Sequence, residues 1–325
     1  MMSKVEPNVT ILLATFNGDH YLKDQIESII RQTHSHWELW IRDDCSTDNT
    51  IKLINSFMLK DNRIKMLSNH NKRLGACMNF AELMEHVDCA NYISFSDQDD
   101  VWHPYKIEMT LKKILEEEKR HGNTTPILVH TDFEFVNSEL IHLKAKKNIA
   151  YRFSNQPELI ANKLLSQNYI YGCTMLINKS LLRASLPISQ CAENHDYWIA
   201  LVASCIGKVF FIPNKAMSFK QHGSNVSMGL KASSFRNRFN RVFLKWPETV
   251  KLKDKRIEQI VALRDLLKDQ LPFQKQKLLN DYIDIAKKGG IQSILFSMEN
   301  QIRRQGVIQT FLFYCSLYKK YKKTE

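Results

Sequence analysis

"NVTILLATFNGDHYLKDQIESIIRQTHSHWELWIRDD" (residues 8–44) decides the fold. Its first ten residues are an apolar, β-branched run stopped by Asn17-Gly18, which reads as a buried strand. Residues 20–33 place Leu22, Ile26, Ile29 and Ile30 at helical spacing. Residues 37–44 form a second apolar strand that ends on two carboxylates, Asp43 and Asp44.

The pattern then repeats. "STDNTIKLINSFML" (46–59) opens with Ser46, Thr47 and Asp48, residue types that cap helix N-termini. "RIKMLSN" (63–69) predicts a short third strand, "NFAELMEHV" (79–87) a helix, and "NYISFSDQDD" (91–100) a fourth strand. Alternation of this kind predicts an α/β fold with a mostly parallel sheet. Ligands of such sheets bind beyond the carboxyl ends of the strands. Asn17, Asp43, Asp44 and Asp97 to Asp100 all fall at those ends, so the acids converge on one rim.

The chain has 325 residues, 44% hydrophobic and 25% charged, a globular composition with room for one large domain and an addition. Its seven cysteines are scattered, with no C-x-x-C pair, and read as free thiols in a reducing compartment. No apolar run reaches the roughly 18–20 residues that span a bilayer. The net charge of +12 suggests nucleic acid only until it is mapped: residues 1–227 are neutral, and residues 228–325 carry 21 basic against 9 acidic side chains. The charge therefore describes a neutral body with a basic appendage rather than a nucleic-acid-binding protein.

"SFSDQDDVWHP" (94–104) holds Asp97, Asp99 and Asp100 directly after an apolar strand. Alone it reads equally as an Asp-rich turn or as a cation seat. Along an extended strand end, Asp97 and Asp99 would share one side and Asp100 the other. There is no P-loop, no G-x-G-x-x-G after the first strand and no G-x-S-x-G elbow. Without a glycine-rich cradle, a bound diphosphate needs another source of positive charge, and a divalent cation on carboxylates supplies it.

The blocks "TILLATFNGDHYLKDQIESIIRQT", "LWIRDDCSTDNT", "NKRLGACMNF" and "YISFSDQDDVWHPYKI" resemble, in order, the family 2 glycosyltransferases. "YGCTMLINKSLL", "NHDYWIALVASCIGKVFFIP" and "FKQHGSNVS" continue the resemblance toward a bacterial subgroup that includes rhamnosyltransferases of surface-polysaccharide assembly. It covers about residues 8–227. It implies the GT-A nucleotide-sugar-binding fold and an inverting, metal-dependent transfer using Mn²⁺ or Mg²⁺.

Residue by residue, the resemblance puts Thr15, Phe16 and Asn17 at the nucleotide edge and Asp43 on the pyrimidine, with Asp44 nearby. Asp43 otherwise reads as a capping turn. Cys45 stands where the family usually has glycine. Gly75 and Asn79 match the next block, and Arg73 stands in for an arginine usually found where this chain has Met78. Asp97 and Asp99 match the D-x-D pair, with Asp99 the metal ligand, Asp97 supporting it and Gln98 between them in the nucleotide-sugar set. Asp100 is expected to turn away and hold the loop. Asp196 in "ENHDYW" is the expected general base, with His195 and then Glu193 as alternatives. Tyr197 and Trp198 either stack on the acceptor or pack the core. Gly172 allows a close backbone approach or a tight packing turn. His222 is either a second metal or diphosphate ligand or a solvated loop histidine.

In the appendage, Phe235, Phe239, Val242, Phe243 and Trp246 share one helical face bordered by Arg236, Arg238, Arg241 and Lys245. Ile291, Ile294, Leu295, Met298 and Ile302 form a second helical stretch, and the chain ends near "YKKYKK". Such faces suit an anionic membrane surface; they would equally suit packing on the catalytic body. The expected division is residues 1–227 as catalytic domain and 228–325 as a basic amphipathic helical region. The expected partners are a nucleotide-sugar donor and a glycan or lipid-linked oligosaccharide acceptor, at the cytosolic face of the plasma membrane. A nucleotidyltransferase or a basic surface-binding protein are the competing classes; the first lacks its glycine-rich signature here, and the second predicts binding that survives chelation.

Overall fold

The computed structural model describes residues 6–143, 156–221 and 246–323. Strand β1 (Val9–Thr15), helix α1 (Leu22–Ile30) and β2 (Trp37–Asp43) form the expected opening unit. Then follow α2 (Thr50–Met58), β3 (Ile64–Leu67), α3 (Ala76–His86), β4 (Tyr92–Ser96), the short β5 (Val101–Trp102), α4 (Lys106–His121) and β6 (Ile127–Val136). After α5 (Ile160–Leu164) come β7 (Met175–Asn178), α6 (Lys179–Ser185), α7 (His195–Ile206) and β8 (Lys208–Lys220). The chain continues as α8 (Trp246–Leu267), α9 (Phe273–Lys288), α10 (Ile291–Glu299) and α11 (Val307–Tyr318).

The eight described strands make one sheet in the order β3-β2-β1-β4-β7-β6-β8-β5. The nucleotide-side half, β3 through β4, is parallel, as the apolar runs predict. The other half is mixed: β7 runs antiparallel to both β4 and β6, and β5 antiparallel to β8. β6 and β8 pair parallel, so four of the seven described strand pairings are parallel, with the antiparallel ones confined to the second half. The four residues of β7 are too short for a periodicity that would have revealed their direction.

The parallel half fixes the site. In the register of β1, Thr15 lies beside Asp43, and Leu13 lies beside Ser96. The carboxyl ends of β1, β2 and β4 are thereby level, and the loops that follow share one rim. Beneath them, Ile11, Leu13, Leu39 and Ile41 are fully buried against Leu22, Ile26 and Ile29 of α1. Each such side chain contributes roughly 1.5–3 kcal/mol by leaving water.

The opposite face of the sheet packs on a second cluster that includes Leu12, Phe95, Tyr197 and Trp198. Ile257, Ile260, Leu263 and Leu267 of α8 and Phe313 and Leu317 of α11 belong to that same cluster. Helices α8 and α9 and the Phe313–Leu317 part of α11 are thus packed on the body through apolar residues. No helix among the described residues is long and apolar enough to cross a membrane. The predicted aromatic face at Phe235–Phe243 lies outside the described residues.

Candidate functional site

The rim is laced together by side chains from three strand ends. Gln98 accepts from Thr15 Oγ1 at 2.7 Å and from the Phe16 N–H at 2.8 Å, and its amide donates to the Phe16 carbonyl at 3.2 Å. This bridge ties the D-x-D turn to the end of β1. Gly18 lies under it: a Cβ there would come within 2.6 Å of Gln98 Oε1, so any larger residue would displace the amide. Asn17 sits at φ 47 and accepts from the Thr47 N–H at 2.8 Å, while its own N–H donates to Ser46 Oγ at 2.8 Å.

At the end of β2, Asp43 is 3% exposed and accepts from the Ser46 N–H at 2.8 Å and from the Ser46 hydroxyl. Two residues on, Cys45 has φ 67, the left-handed region that favours glycine. Asp44 faces the other way. It accepts from the Leu74 and Gly75 N–H groups at 2.7 and 2.8 Å and pairs with Arg42 at 3.4 Å. Arg42 also donates to Asn79 at 2.8 Å, and the Asn79 amide returns a bond to the Arg42 carbonyl at 3.1 Å. Asp44 and Asn79, both buried, therefore hold the Leu74–Gly75 loop in place instead of presenting groups to a ligand. That loop carries the exposed Arg73, whose guanidinium lies 3.9 Å from the Phe16 ring centroid.

The three acids of the fourth strand end divide differently from a strand pattern. β4 stops at Ser96, and Gln98-Asp99 form a turn. A turn brings its first and fourth residues together, so Asp100 comes round to the side of Asp97. Oxygens of Asp97 and Asp100 and the sulfur of Cys173 lie within 4.8 Å of one another. This corrects the expectation that Asp100 turns away. Asp100 is fully buried, and among the described residues neither of its oxygens has a hydrogen-bond partner of normal geometry. Burial, then the charges of Asp99 and Asp97, push its carboxyl well above the usual range. Asp97 is raised to about 7 by burial, by Asp99 and by Asp196. Lys106, 1% exposed, donates to Ser94 Oγ at 3.3 Å and is pushed down to about 7, chiefly by burial.

A crowd of carboxylates with orphaned oxygens is unfavourable without a compensating cation. Carboxylate oxygens suit hard divalent ions such as Mg²⁺ or Mn²⁺. The Cys173 thiol is pushed well above its ordinary value by burial and by Asp100 and Asp97, so in the metal-free protein it is a neutral neighbour of the two acids. The residues present therefore fit a hard cation.

Asp196, in the first turn of α7, completes the group. Its Oδ2 accepts from the Gly172 N–H at 3.1 Å and its Oδ1 from the Tyr197 N–H at 2.6 Å. Burial raises it to about 6, against the lowering effect of those two N–H bonds. His195 beside it stacks on Phe80 at 3.8 Å, is 7% exposed and is held down to about 3 by burial. An imidazole buried against Phe80 and so weakly basic is a poor proton acceptor, which favours Asp196 over His195 as the base. Gly172 is small for packing: a Cβ there would meet His195 Nε2 at 2.7 Å and Asp196 Cβ at 3.3 Å.

The glycosyl transferase family 2 model matches residues 10–185, more than half of the chain. The chain belongs to glycosyl transferase family 2. It is 29% identical over 255 residues to the dTDP-rhamnosyl transferase RfbG of Shigella flexneri, covering 72% of this chain and 80% of that one. It is 29% identical over 196 residues to an Escherichia coli protein, the UDP-Glc:alpha-D-GlcNAc-diphosphoundecaprenol beta-1,3-glucosyltransferase WfgD, covering 60% and 69%. In structure it is similar to the mannosyltransferase PcManGT of Pyrobaculum calidifontis, solved with GDP-Man and Mn²⁺, with a TM-score of 0.55 and 12% identity over 91% of this chain and 74% of that one. That likeness shows the GT-A fold. The protein is accordingly an enzyme, a nucleotide-sugar glycosyltransferase.

Within this family 2 frame, the structure decides one alternative that the sequence leaves open. Tyr197 and Trp198 are 0% and 1% exposed. Their polar atoms are spent on the Leu164 carbonyl and, at 2.8 Å, on the Ser185 carbonyl. They pack the core under α7 and offer no face to an acceptor. His222 lies outside the described residues. Cys173 and Lys106 were missed. Lys106 had a signal: it begins the stripe Lys106, Ile107, Thr110, Leu111, Ile114, a buried face on which a lysine is out of place.

Proposed function

We propose that this protein is an inverting, divalent-cation-dependent glycosyltransferase that builds a bacterial surface polysaccharide from a nucleotide-sugar donor. The observation that carries the reading is the gathering of Asp97 and Asp100 oxygens within 4.8 Å at the end of β4, with the charges of Asp99 and of Asp196 from α7 reaching Asp97. The donor named first is dTDP-L-rhamnose, in keeping with the likeness to RfbG; a UDP-hexose or UDP-HexNAc is the second reading, in keeping with the likeness to WfgD.

In this mechanism Asp97, with Asp99 or Asp100, would hold Mn²⁺ or Mg²⁺. The ion supplies charge stabilisation to the departing nucleoside diphosphate. Thr15, Phe16, Asn17 and Asp43 form the nucleotide edge, and Arg73 stands over Phe16 as a cation beside it. Asp196 takes the proton of the acceptor hydroxyl as its oxygen attacks the anomeric carbon. The new C–O bond forms as the bond to the diphosphate breaks, and configuration inverts. The two N–H groups bound to Asp196 keep the carboxylate oriented for that transfer.

The test is a panel of dTDP-L-rhamnose, UDP-glucose and UDP-GlcNAc with Mn²⁺, with Mg²⁺ and with EDTA. One nucleotide sugar is expected to be bound and slowly hydrolysed with metal, and to be inert with EDTA. Failure of every sugar with both metals overturns the reading.

We also propose that residues 1–227 form the catalytic part and residues 228–325 bring it to the cytosolic face of the membrane, where a lipid-linked glycan would be the acceptor. Support comes from α10 and α11. On α10 the inward residues are Ser293 and Ser297, while Ile291, Leu295 and Met298 are more than half exposed. On α11, Val307 and Phe311 are 88% and 65% exposed. Residues 291–323 hold Arg303, Arg304, Lys319, Lys320, Lys322 and Lys323 against one acid within that stretch, Glu299. A helix pair with apolar residues outward and a basic border suits an anionic leaflet, each basic residue adding about 1 kcal/mol near it. Phosphatidylserine vesicles are expected to co-float the protein, and the double variant Leu295→Glu, Phe311→Glu to release it. Equal flotation of the folded double variant would remove this face as the docking site.

A further inference from the structure

The segment that carries Asp196 is held by a helix far away in sequence. Helix α7 begins at His195, and its N-cap residue, Asn194, makes no side-chain capping bond. In place of an Asn194 cap, Asp196 Oδ1 takes the Tyr197 N–H within the first turn. The residue that leads into the turn, Glu193, is held by tertiary contacts from α8. Arg256 Nε and Nη2 donate to the two oxygens of Glu193 at 2.7 and 3.1 Å, a bidentate pair. Arg256 Nη1 donates to the Ser166 carbonyl at 2.6 Å. One turn along, Gln259 Oε1 accepts from the Glu193 N–H at 2.6 Å. Arg256 is 8% exposed and Gln259 fully buried. Arg304, just before α11, also donates to the Ser166 carbonyl, at 3.2 Å.

A buried ion pair adds little net stability, because the cost of removing both charges from water offsets their attraction. Its attested use is to fix one geometry among several. Here the geometry fixed is the backbone and side chain of Glu193, three residues before the acid that faces Asp97. We propose that Arg256 and Gln259 are positioning residues for the transfer reaction: the C-terminal helices brace the Glu193–Asp196 segment and so set the position of the base carboxylate. The brace rests on the reading of Asp196 as base. It gives the appendage a second role, in which α8 is part of the catalytic apparatus although it touches no substrate. It also makes the site sensitive to how the C-terminal helices sit.

The experiment compares Arg256→Met, Arg256→Lys, Gln259→Met and the mildest change, Glu193→Gln, with the parent and with Asp196→Asn. The donor is dTDP-L-rhamnose, or the nucleotide sugar of the panel that is turned over. In folded variants, Arg256→Met and Gln259→Met are expected to lower kcat at least tenfold with donor KM within twofold. Arg256→Lys, which keeps the charge but loses the bidentate fork, and Glu193→Gln are expected to fall between. Amide exchange over residues 189–198 should quicken in step with the loss of kcat. If Asp196→Asn abolishes turnover while the folded brace variants keep kcat within twofold, the brace is wrong and the base assignment stands. If Asp196→Asn keeps its turnover, the base assignment fails and the brace fails with it. A parallel fall of donor affinity and kcat would reduce the network to a structural support and also overturn the proposal.

Discussion

Asp196→Asn lowers turnover by on the order of 10³-fold while leaving donor affinity within about twofold. Removing a positioned general base typically costs 10²–10⁴-fold, and asparagine keeps the shape of the side chain but cannot take a proton. The amide oxygen can still accept one of the two N–H bonds now made by Gly172 and Tyr197, so the loop and the first turn of α7 survive. The donor side of the site lies on β1, β2 and the D-x-D turn and keeps its contacts, although Asp97 loses the repulsion of the Asp196 charge. The pH profile gives a second reading of the same group. With the carboxyl raised to about 6, the base is protonated and idle below that pH. Activity of the parent, as kcat/KM, is expected to rise through pH 6 and level off above it. The asparagine variant should lose that limb and keep only a low, flat rate. Turnover measured from pH 4.5 to 8.5 with donor titrations at each end checks both. An unchanged limb in the variant would assign the titration, and the base, to another group.

The sequence carried the parallel half of this fold because its evidence is local. The run at 9–15 is apolar but for Thr10 and Thr15, and in 37–43 Trp37, Leu39, Trp40 and Ile41 form the apolar part, a content that suits strands covered on both faces. Knowing where each run ends also places Asp43 and Asp97 on the rim. What failed was extrapolation past a strand end. Alternation assigned Asp97 and Asp99 to one face, but the strand stops at Ser96, and a turn follows its own geometry. Tyr197 and Trp198 stayed open for another reason, since a stacking platform and a packed core both ask for large aromatics. The deciding signal lay just beyond them: Ile199 to Ala203 is apolar on every side of the helix, the mark of a helix buried all round. Asp44 could not be separated from Asp43 by sequence, because their difference lies in Leu74, Gly75 and Arg42, partners that only the fold brings near. The Arg256–Glu193 pair is of the same kind, joining residues 63 positions apart.

Asp97→Asn is expected to cost as much as loss of the base, and by a different route. It should lower turnover by on the order of 10²–10³-fold, weaken donor binding in the presence of metal, and abolish the difference between metal and EDTA. The physical reason is charge. Asp97 shares its surroundings with Asp99, Asp100 and Asp196, and its carboxyl is raised to about 7 by burial and by the charges of Asp99 and Asp196. Ionising it in the metal-free protein is therefore unfavourable, and a divalent cation is what makes the ionised form favourable. The same argument predicts the opposite sign for stability. A carboxyl whose pKa is raised on folding stabilises the fold fully below its unfolded value of about 4, and that stability is lost as pH rises toward 7. The metal-free parent should accordingly melt lower at pH 8 than at pH 5 through this group. Asp97→Asn should flatten the dependence and melt higher than the parent at pH 8 in EDTA. Mn²⁺ should raise the melting temperature of the parent at pH 8 and leave the variant unmoved. Calorimetry at the two pH values, with and without metal, reads all of this without a donor. If Mn²⁺ stabilises the variant as much as the parent, the ion is held elsewhere and Asp97 is not among its ligands.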